Sequence, residues 1–266
     1  MKITYDNHSY SAMTIFTYDK SFEGLLCAVF ESYIHKLKPD ILLEEGTPLP
    51  LFYDRNITIA TNDSKAERVW KSLEKKVTPG GLRILRATWL SELDGIDMLL
   101  FRYICKNIDA SRSVEMNFGD PDVLEISKIW KKVDHERVRA TQFIRFSKTA
   151  DNIFFAVFEP LYNVLPLVIP HFTDRFRDQK WLIYDVKRKY GYYYNLKEAT
   201  EVSFAEELPH LFTGKPAEEL LAEDEKQFQR LWKAYFQSIT IRERINPKLH
   251  RQNMPARFWK FLPEKQ

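Results

Sequence analysis

The spacing of apolar residues changes near residue 140, and this change constrains the fold more than any other feature of the sequence. Before it, apolar side chains recur three and four residues apart, which predicts amphipathic helices. After it, short runs are either alternating or continuously apolar, which predicts strands. The sequence therefore predicts an α+β protein with a helical N-terminal half and an antiparallel sheet in the middle.

The N-terminal half opens with a strand, a turn and a helix. Residues 13–18 alternate and are rich in β-branched and aromatic side chains, so we expect a strand. Residues 19–21 predict a turn with a helix N-cap, and residues 22–36 have apolar side chains at helical spacing. We further expect a loop at 39–50, strands at 51–53 and 57–60, and helices at 64–75, 82–90, 95–106 and 120–140.

The second half predicts a sheet with the order β-β-α-β-β, followed by a long helix. The expected elements are strands at 141–146 and 153–159, a helix at 165–177, strands at 181–188 and 191–195, a further strand at 201–204, and a helix over most of 216–246. Pro247 is expected to interrupt that helix, and a basic and aromatic tail follows it. We expect one domain over residues 1–266, which can divide into a mostly helical part, 1–140, and a part with the sheet and the C-terminal helix, 141–266.

Composition excludes several classes of protein. The chain has only 8 glycines and neither of the common glycine-rich phosphate-binding motifs, so nothing in the sequence supports an ATP or dinucleotide cradle of those types. Cys27 and Cys105 lie in apolar helical runs and predict buried thiols in a reducing cytoplasm. No Cys/His spacing predicts a metal site, and no run is long enough to cross a membrane. We expect a cytoplasmic protein with no metal, no cofactor and no membrane partner.

The C-terminal stretch is unusually basic. Residues 240–266 contain seven Lys or Arg against two acids, 7 − 2 = +5, whereas the whole chain carries only +3. Cations interleaved with aromatic rings are typical of proteins that bind a phosphate backbone and unstacked bases. Alternatively, the aromatic side chains anchor the tail while its cations face water or pair with acids. The residues predicted to bind DNA are Arg175, Arg188, Arg242, Arg244, Lys248, Arg251, Arg257, Trp259 and Lys260.

A second candidate site surrounds His171. At helical spacing, His171 and Asp174 share one face, and Asp185 lies in a later strand that could approach them. A His–Asp pair can act as a general base, and nearby arginines can clamp a phosphate. The alternative is that Asp174 belongs to a structural ion-pair network and that His171 bonds a backbone group. The catalytic candidates are therefore His171, Asp174 and Asp185.

Three separated stretches, residues 18–31, 170–176 and 253–264, together resemble a bacterial family described as a probable DNA metabolism protein, the domain of unknown function 4130. The resemblance implies a DNA-repair accessory protein that binds DNA through its basic C-terminal surface. It also implies a partner, either a radical-SAM repair protein encoded nearby or a uracil-DNA-glycosylase-like protein. The chain lacks the Cys-x3-Cys-x2-Cys motif, so radical-SAM chemistry would belong to the partner.

The resemblance brings no catalytic residues with it. Two other functions stay open from the sequence. One is an enzyme that acts on a nucleobase or nucleotide with His171 and nearby carboxylates. The other is a protein-interaction scaffold.

Overall fold

The computed structural model describes residues 13–204 and 221–265. The chain divides into two compact units, residues 1–130 and 131–266. The predicted α+β class and the helical N-terminal half are confirmed. The predicted organisation as one family domain that can divide at residue 140 stays a prediction.

The first unit contains a three-stranded parallel sheet with the order β2-β1-β3. Strand β1 is the central strand, and all five of its residues are buried, as is typical of a parallel strand that is covered on both faces. The elements are β1 (Thr14–Tyr18), α1 (Phe22–Ile34), β2 (Ile41–Glu44), β3 (Arg55–Thr58), α2 (Asp63–Glu74), α3 (Pro79–Trp89) and α4 (Ile96–Asp109).

Local capping determines where the first helices begin. The Ser21 hydroxyl accepts a hydrogen bond from the Gly24 amide at 2.9 Å, as the predicted N-cap requires. Helix α2 is capped by Asn62, whose side chain accepts from the Lys65 amide at 3.1 Å, so this helix begins before the predicted residue 64. Two predictions in this unit are wrong. Residues 51–53 form no strand, and the predicted loop at 39–50 contains β2, whose backbone pairs with β1.

The second half contains a five-stranded sheet with the order β4-β5-β6-β7-β8. Helix α6 lies between β5 and β6 in the chain, as the predicted β-β-α-β-β order requires. The elements are α5 (Pro121–Phe143), β4 (Ser147–Lys148), β5 (Phe154–Phe158), α6 (Leu165–Arg175), β6 (Trp181–Asp185), β7 (Tyr190–Tyr194), β8 (Ala199–Val202), α7 (Glu225–Ser238) and α8 (Pro247–Asn253).

The sheet differs from the prediction in one pairing and one strand. Strands β5 and β6 are parallel, because the connection through α6 returns the chain to the end of the sheet at which β5 begins. The other neighbouring strands are antiparallel, as predicted. The strand predicted at 141–146 is wrong: residues 141–143 form the last turn of α5, residues 144–146 have no regular structure, and the short strand β4 begins at Ser147. Ala140 and Ile144 are both buried four residues apart, so helical spacing extends further than expected.

The C-terminal helix is shorter than predicted. It is α7, and residues 216–220 of the prediction lie outside the described part of the chain. Pro247 begins a new helix, α8, whose N-cap is Asn246, because proline is well tolerated in a first helical turn. Short 3-10 turns follow at Ala256–Phe261 and Pro263–Lys265. No helix within the described ranges is both long enough and apolar enough to span a bilayer.

Candidate nucleic-acid interface

The basic C-terminal stretch consists of two segments with different surroundings. We call residues 256–265 the anchored segment and residues 244–253 the open segment. In the anchored segment, Phe258 is only 2 % exposed, and its ring centroid lies 5.4 Å from that of Phe143. Phe261 belongs to a buried cluster with Val157 and Tyr184. The aromatic side chains therefore hold the anchored segment to the second unit.

Two of the three cations of the anchored segment are paired with acids. Arg257 donates to Glu136, and Lys260 donates to Glu159. The Glu136 side chain is only 1 % exposed, and it also accepts the Leu161 amide at 2.9 Å. These two cations fit the alternative stated above, in which tail cations pair with acids. Their charge is largely neutralised by carboxylates from elsewhere in the unit.

The cations of the open segment have different surroundings. Helix α8 has no buried residue. Arg244, Lys248 and Arg251 are exposed, and none of them forms an ion pair with a residue in 13–204 or 221–265. The side chain of Arg242 lies outside the described part of the chain. Three predicted DNA-binding residues are thus available to an outside anion.

A cleft of about 760 Å³ lies beside the open segment. Its volume is in the usual range of small-ligand sites. No carboxylate is found among the described residues that line it. Its charged, amide and ring-bearing lining residues are three cations, three amides and three aromatic or imidazole rings: Arg244, Arg251 and Lys265; Gln142, Asn246 and Asn253; and Phe143, His250 and Trp259. The rest of the lining is Thr240 and the apolar residues Ile239, Ile241, Ile245, Pro247, Leu249 and Met254.

Trp259 and His250 form one wall of this cleft. The Trp259 indole Nε1 donates to the Met254 carbonyl at 3.0 Å, which fixes its ring. The His250 ring centroid lies 5.7 Å away, and the Lys265 ammonium lies 5.4 Å from the indole centroid. Burial, together with the charge of Lys265, lowers the pKa of His250, which keeps the imidazole neutral near pH 7.

Two other arginines that were predicted to bind DNA, Arg175 and Arg188, do not line this cleft. Arg175 is exposed on α6, with its guanidinium 5.5 Å from the centroid of the Phe176 ring. Arg188 is bonded to Asp185 at 2.8 Å in the turn after β6. The cleft instead includes residues that were not predicted, among them Gln142 and Lys265. Nothing in the local sequence at Gln142 indicates that it faces the tail.

The three catalytic candidates are separately engaged. His171 is exposed on α6, and its ring contacts the adjacent Phe172. Asp174 pairs with Arg177 at 3.0 Å, and both side chains are exposed. In the described ranges, no hydrogen bond or ion pair joins His171 to Asp174 or Asp185. The catalytic assignment stays a prediction.

Asp185 has a structural role in the turn between β6 and β7. Its carboxylate accepts the Lys187 amide at 2.9 Å and the Arg188 amide at 3.2 Å, in addition to the Arg188 guanidinium. Burial raises the pKa of Asp185, although Arg188 opposes this shift. Across the described residues, no three His, Cys, Asp or Glu side chains are grouped to hold a metal ion.

No curated protein matches the chain. A solved structure, the pGpG-specific phosphodiesterase PggH from Vibrio cholerae, aligns with 86 % of this chain and 100 % of its own at 11 % identity, with a TM-score of 0.32. A similarity this weak carries no argument about fold or activity. The family model described as "Domain of unknown function (DUF4130)" matches residues 94–264, which is more than half of the chain. The chain therefore belongs to the DUF4130 family.

Proposed function

We propose that this protein binds DNA through the open segment and the cleft beside it. The observation that carries the proposal is the lining of that cleft, which contains three cations and no carboxylate within the described part of the chain. Two of these cations, Arg244 and Arg251, form no ion pair within the described ranges, and bringing such cations together is unfavourable unless an anion binds among them. A phosphate backbone supplies such anions at regular spacing.

The side chains around the cleft suit a nucleotide ligand. Arg244 and Arg251 present planar guanidinium groups, which bind phosphate oxygens in a bidentate manner. Asn253 and Gln142 supply amide donors and acceptors that can bond a sugar or a base edge. A cleft of about 760 Å³ accommodates a nucleotide but not a double helix. We therefore expect single-stranded DNA to bind more tightly than duplex DNA.

The biological setting is proposed from the family resemblance and not from geometry. We propose an accessory role in DNA repair in the cytoplasm. There the protein would hold DNA for a radical-SAM repair protein or a uracil-DNA-glycosylase-like protein. The bond-breaking chemistry would then belong to that partner.

Fluorescence anisotropy with labelled single-stranded and duplex DNA over a range of salt concentrations tests the proposal. The test variant is Arg244→Gln combined with Arg251→Gln, which removes two cations from the cleft. If each arginine contacts one phosphate, the slope of log K against log salt should fall by roughly 1.4 for a single strand. Affinity at low salt should fall about tenfold or more.

A matched control removes two exposed cations of the same unit that do not line the cleft. Lys180→Gln combined with Lys197→Gln serves this purpose, because both side chains are exposed and neither is among the predicted DNA-binding residues. The control should leave the salt slope unchanged. The proposal fails if the wild type does not bind DNA at low salt, or if the control weakens binding as much as the test variant does.

A specific observation also favours the scaffold function as a second candidate. Phe228, Leu231 and Tyr235 lie three and four residues apart on α7 and are 59 %, 57 % and 55 % exposed. Exposed apolar stripes of this kind are typical of protein–protein contacts. A photo-crosslinker at Leu231 should capture a specific protein, and the substitution Phe228→Glu should abolish that capture. A crosslinker at Leu124, exposed on α5, is the control.

A further inference from the structure

A second cleft lies in the first unit, and all its lining residues precede the part of the chain that the family model matches. It has a volume of about 560 Å³ and is formed by α1, α2 and α3. We propose that this cleft binds an organic cation, a guanidinium or ammonium group carried on an aliphatic stem. This proposal does not depend on the proposed binding of DNA, because it concerns another unit and a ligand of opposite charge.

Three aromatic side chains form the apolar part of the cleft. The Phe22 ring meets the Trp70 ring edge-on, with centroids 6.0 Å apart, and lies 5.7 Å from the Trp89 ring. Aromatic ring faces attract cations through their quadrupole, and tryptophan does so most strongly. The cleft therefore supplies several ring surfaces that suit an organic cation and its aliphatic stem.

The protein itself contains an example of the proposed contact. The Arg86 guanidinium lies 4.2 Å from the centroid of the Trp70 ring, inside the usual distance for a cation–π interaction. Arg86 is exposed, so this contact forms at the edge of the cleft. It indicates that a guanidinium fits against these rings, and a ligand would bind the remaining ring surface or displace Arg86.

The charged residues that line the cleft favour a cation over an anion. Three carboxylates line it, those of Glu23, Asp63 and Glu67, whereas Arg86 is the one cation among its described lining residues. Glu67 pairs with Lys71 at 2.7 Å. The exposed side chains of Glu23 and Asp63 form no hydrogen bond or ion pair within the described ranges.

Glu23 and Asp63 each lie in the first turn of a helix, where a carboxylate complements the helix dipole. The helix dipole alone does not explain why these two unpaired carboxylates line the same aromatic cleft. Together the two carboxylates and the rings form a site with an apolar wall and an anionic rim. Such a site binds an aliphatic cation and repels phosphate.

Isothermal titration calorimetry of the full chain with two probes tests the proposal. Agmatine presents a free guanidinium on an aliphatic stem, and a blocked Ala-Arg-Ala peptide presents the same group on a polypeptide. We expect saturable binding of at least one probe. Glu23→Gln combined with Asp63→Asn should weaken it roughly three- to tenfold, because two exposed charge interactions are lost.

Two control variants separate ligand binding from effects on folding. Glu45→Gln combined with Glu74→Gln removes two exposed carboxylates of the same unit that do not line the cleft, and should leave affinity unchanged. Trp70→Leu should abolish binding, whereas Trp70→Phe should retain it if the ring face is what binds. Tighter binding of agmatine indicates a free small cation as the ligand, and tighter binding of the peptide indicates a basic side chain of a partner.

Several outcomes would overturn the proposal. One is the absence of saturable binding for both probes. Another is an equal loss of affinity in the test and control carboxylate variants. A third is unchanged binding by Trp70→Leu. None of these results would alter the expectation for DNA, which concerns the other cleft.

Discussion

The anchored and open segments each contain three Lys or Arg residues, but these residues have very different surroundings. Arg257 and Lys260 in the anchored segment bind Glu136 and Glu159, which lie 121 and 101 residues earlier in the chain. Arg251, only six residues before Arg257, has no acidic partner in the described ranges. Local charge density therefore does not show which cations are available to a ligand. Distant carboxylates decide that.

The largest expected difference between the segments is in packing. Phe258→Ala should lower the free energy of unfolding by about 3–5 kcal/mol, because it removes a buried ring and leaves a cavity. Leu249→Ala in the open segment should change it by less than about 0.5 kcal/mol, because Leu249 is 52 % exposed. Urea unfolding measures both changes. Equal losses would remove the distinction between the segments.

A smaller difference is expected from the charges. Arg257→Ala leaves Glu136 buried without its closest cation and should cost about 3 kcal/mol of stability. Arg139, at 3.8 Å, continues to offset part of the charge. Arg251→Ala should cost less than about 0.5 kcal/mol. Adding Glu136→Gln to Arg257→Ala should recover part of the loss, and a double-mutant cycle that shows no coupling would contradict the pairing.

For DNA binding, substitutions in the open segment should have a larger effect than substitutions in the anchored segment. Arg251→Ala should reduce the salt slope for single-stranded DNA by roughly 0.7, the value for one lost phosphate contact. Arg257→Ala, assayed where the variant is fully folded, should leave the slope unchanged, since its charge is already engaged. Anisotropy titrations at several salt concentrations provide the measurement. If Arg257→Ala changed the slope more than Arg251→Ala does, the anchored segment and not the open segment would be the one that binds DNA.

The smallest expected effect is a pH dependence from His250. Its pKa is lower in the folded chain than the value of about 6.5 in an unfolded one, so the unfolded chain binds the proton more readily. The contribution to stability is therefore present above about pH 6.5 and is lost as pH falls through the folded pKa. His250→Gln should lose less stability than the wild type between pH 7 and 5. If the wild type and His250→Gln showed the same dependence of unfolding free energy on pH in urea unfolding, this prediction would be wrong.

Much of the fold could be predicted from local patterns. Strands β5, β6 and β7 and helix α6 lie close to their expected positions, because their apolar runs are short and bounded by turn residues. Strand β2 could not be predicted, since it exists through its pairing with β1. Residues around Phe143 satisfy both a helical and a strand period, so only the packing of Ala140 and Ile144 decides between them.

The candidate site was also predictable only where it depends on local sequence. The sequence indicated that tail aromatics anchor and that some cations stay free, but it could not show which cations do so. Gln142 and Lys265 line one cleft although they lie far apart in the chain. In contrast, the bonding of Asp185 to Arg188 is local, and a carboxylate accepting amides two and three residues later is a recognisable turn signal.

The burial of Glu136 has a consequence for biosynthesis. A ribosome adding about 5–20 residues per second makes Arg257 roughly 6–24 s after Glu136, because 121 residues separate them. During that interval the carboxylate lacks its closest cation, and burying it would be costly. We expect the nascent second unit to keep this carboxylate hydrated, and thus to stay incompletely folded and open to chaperones, until its final residues have been synthesised.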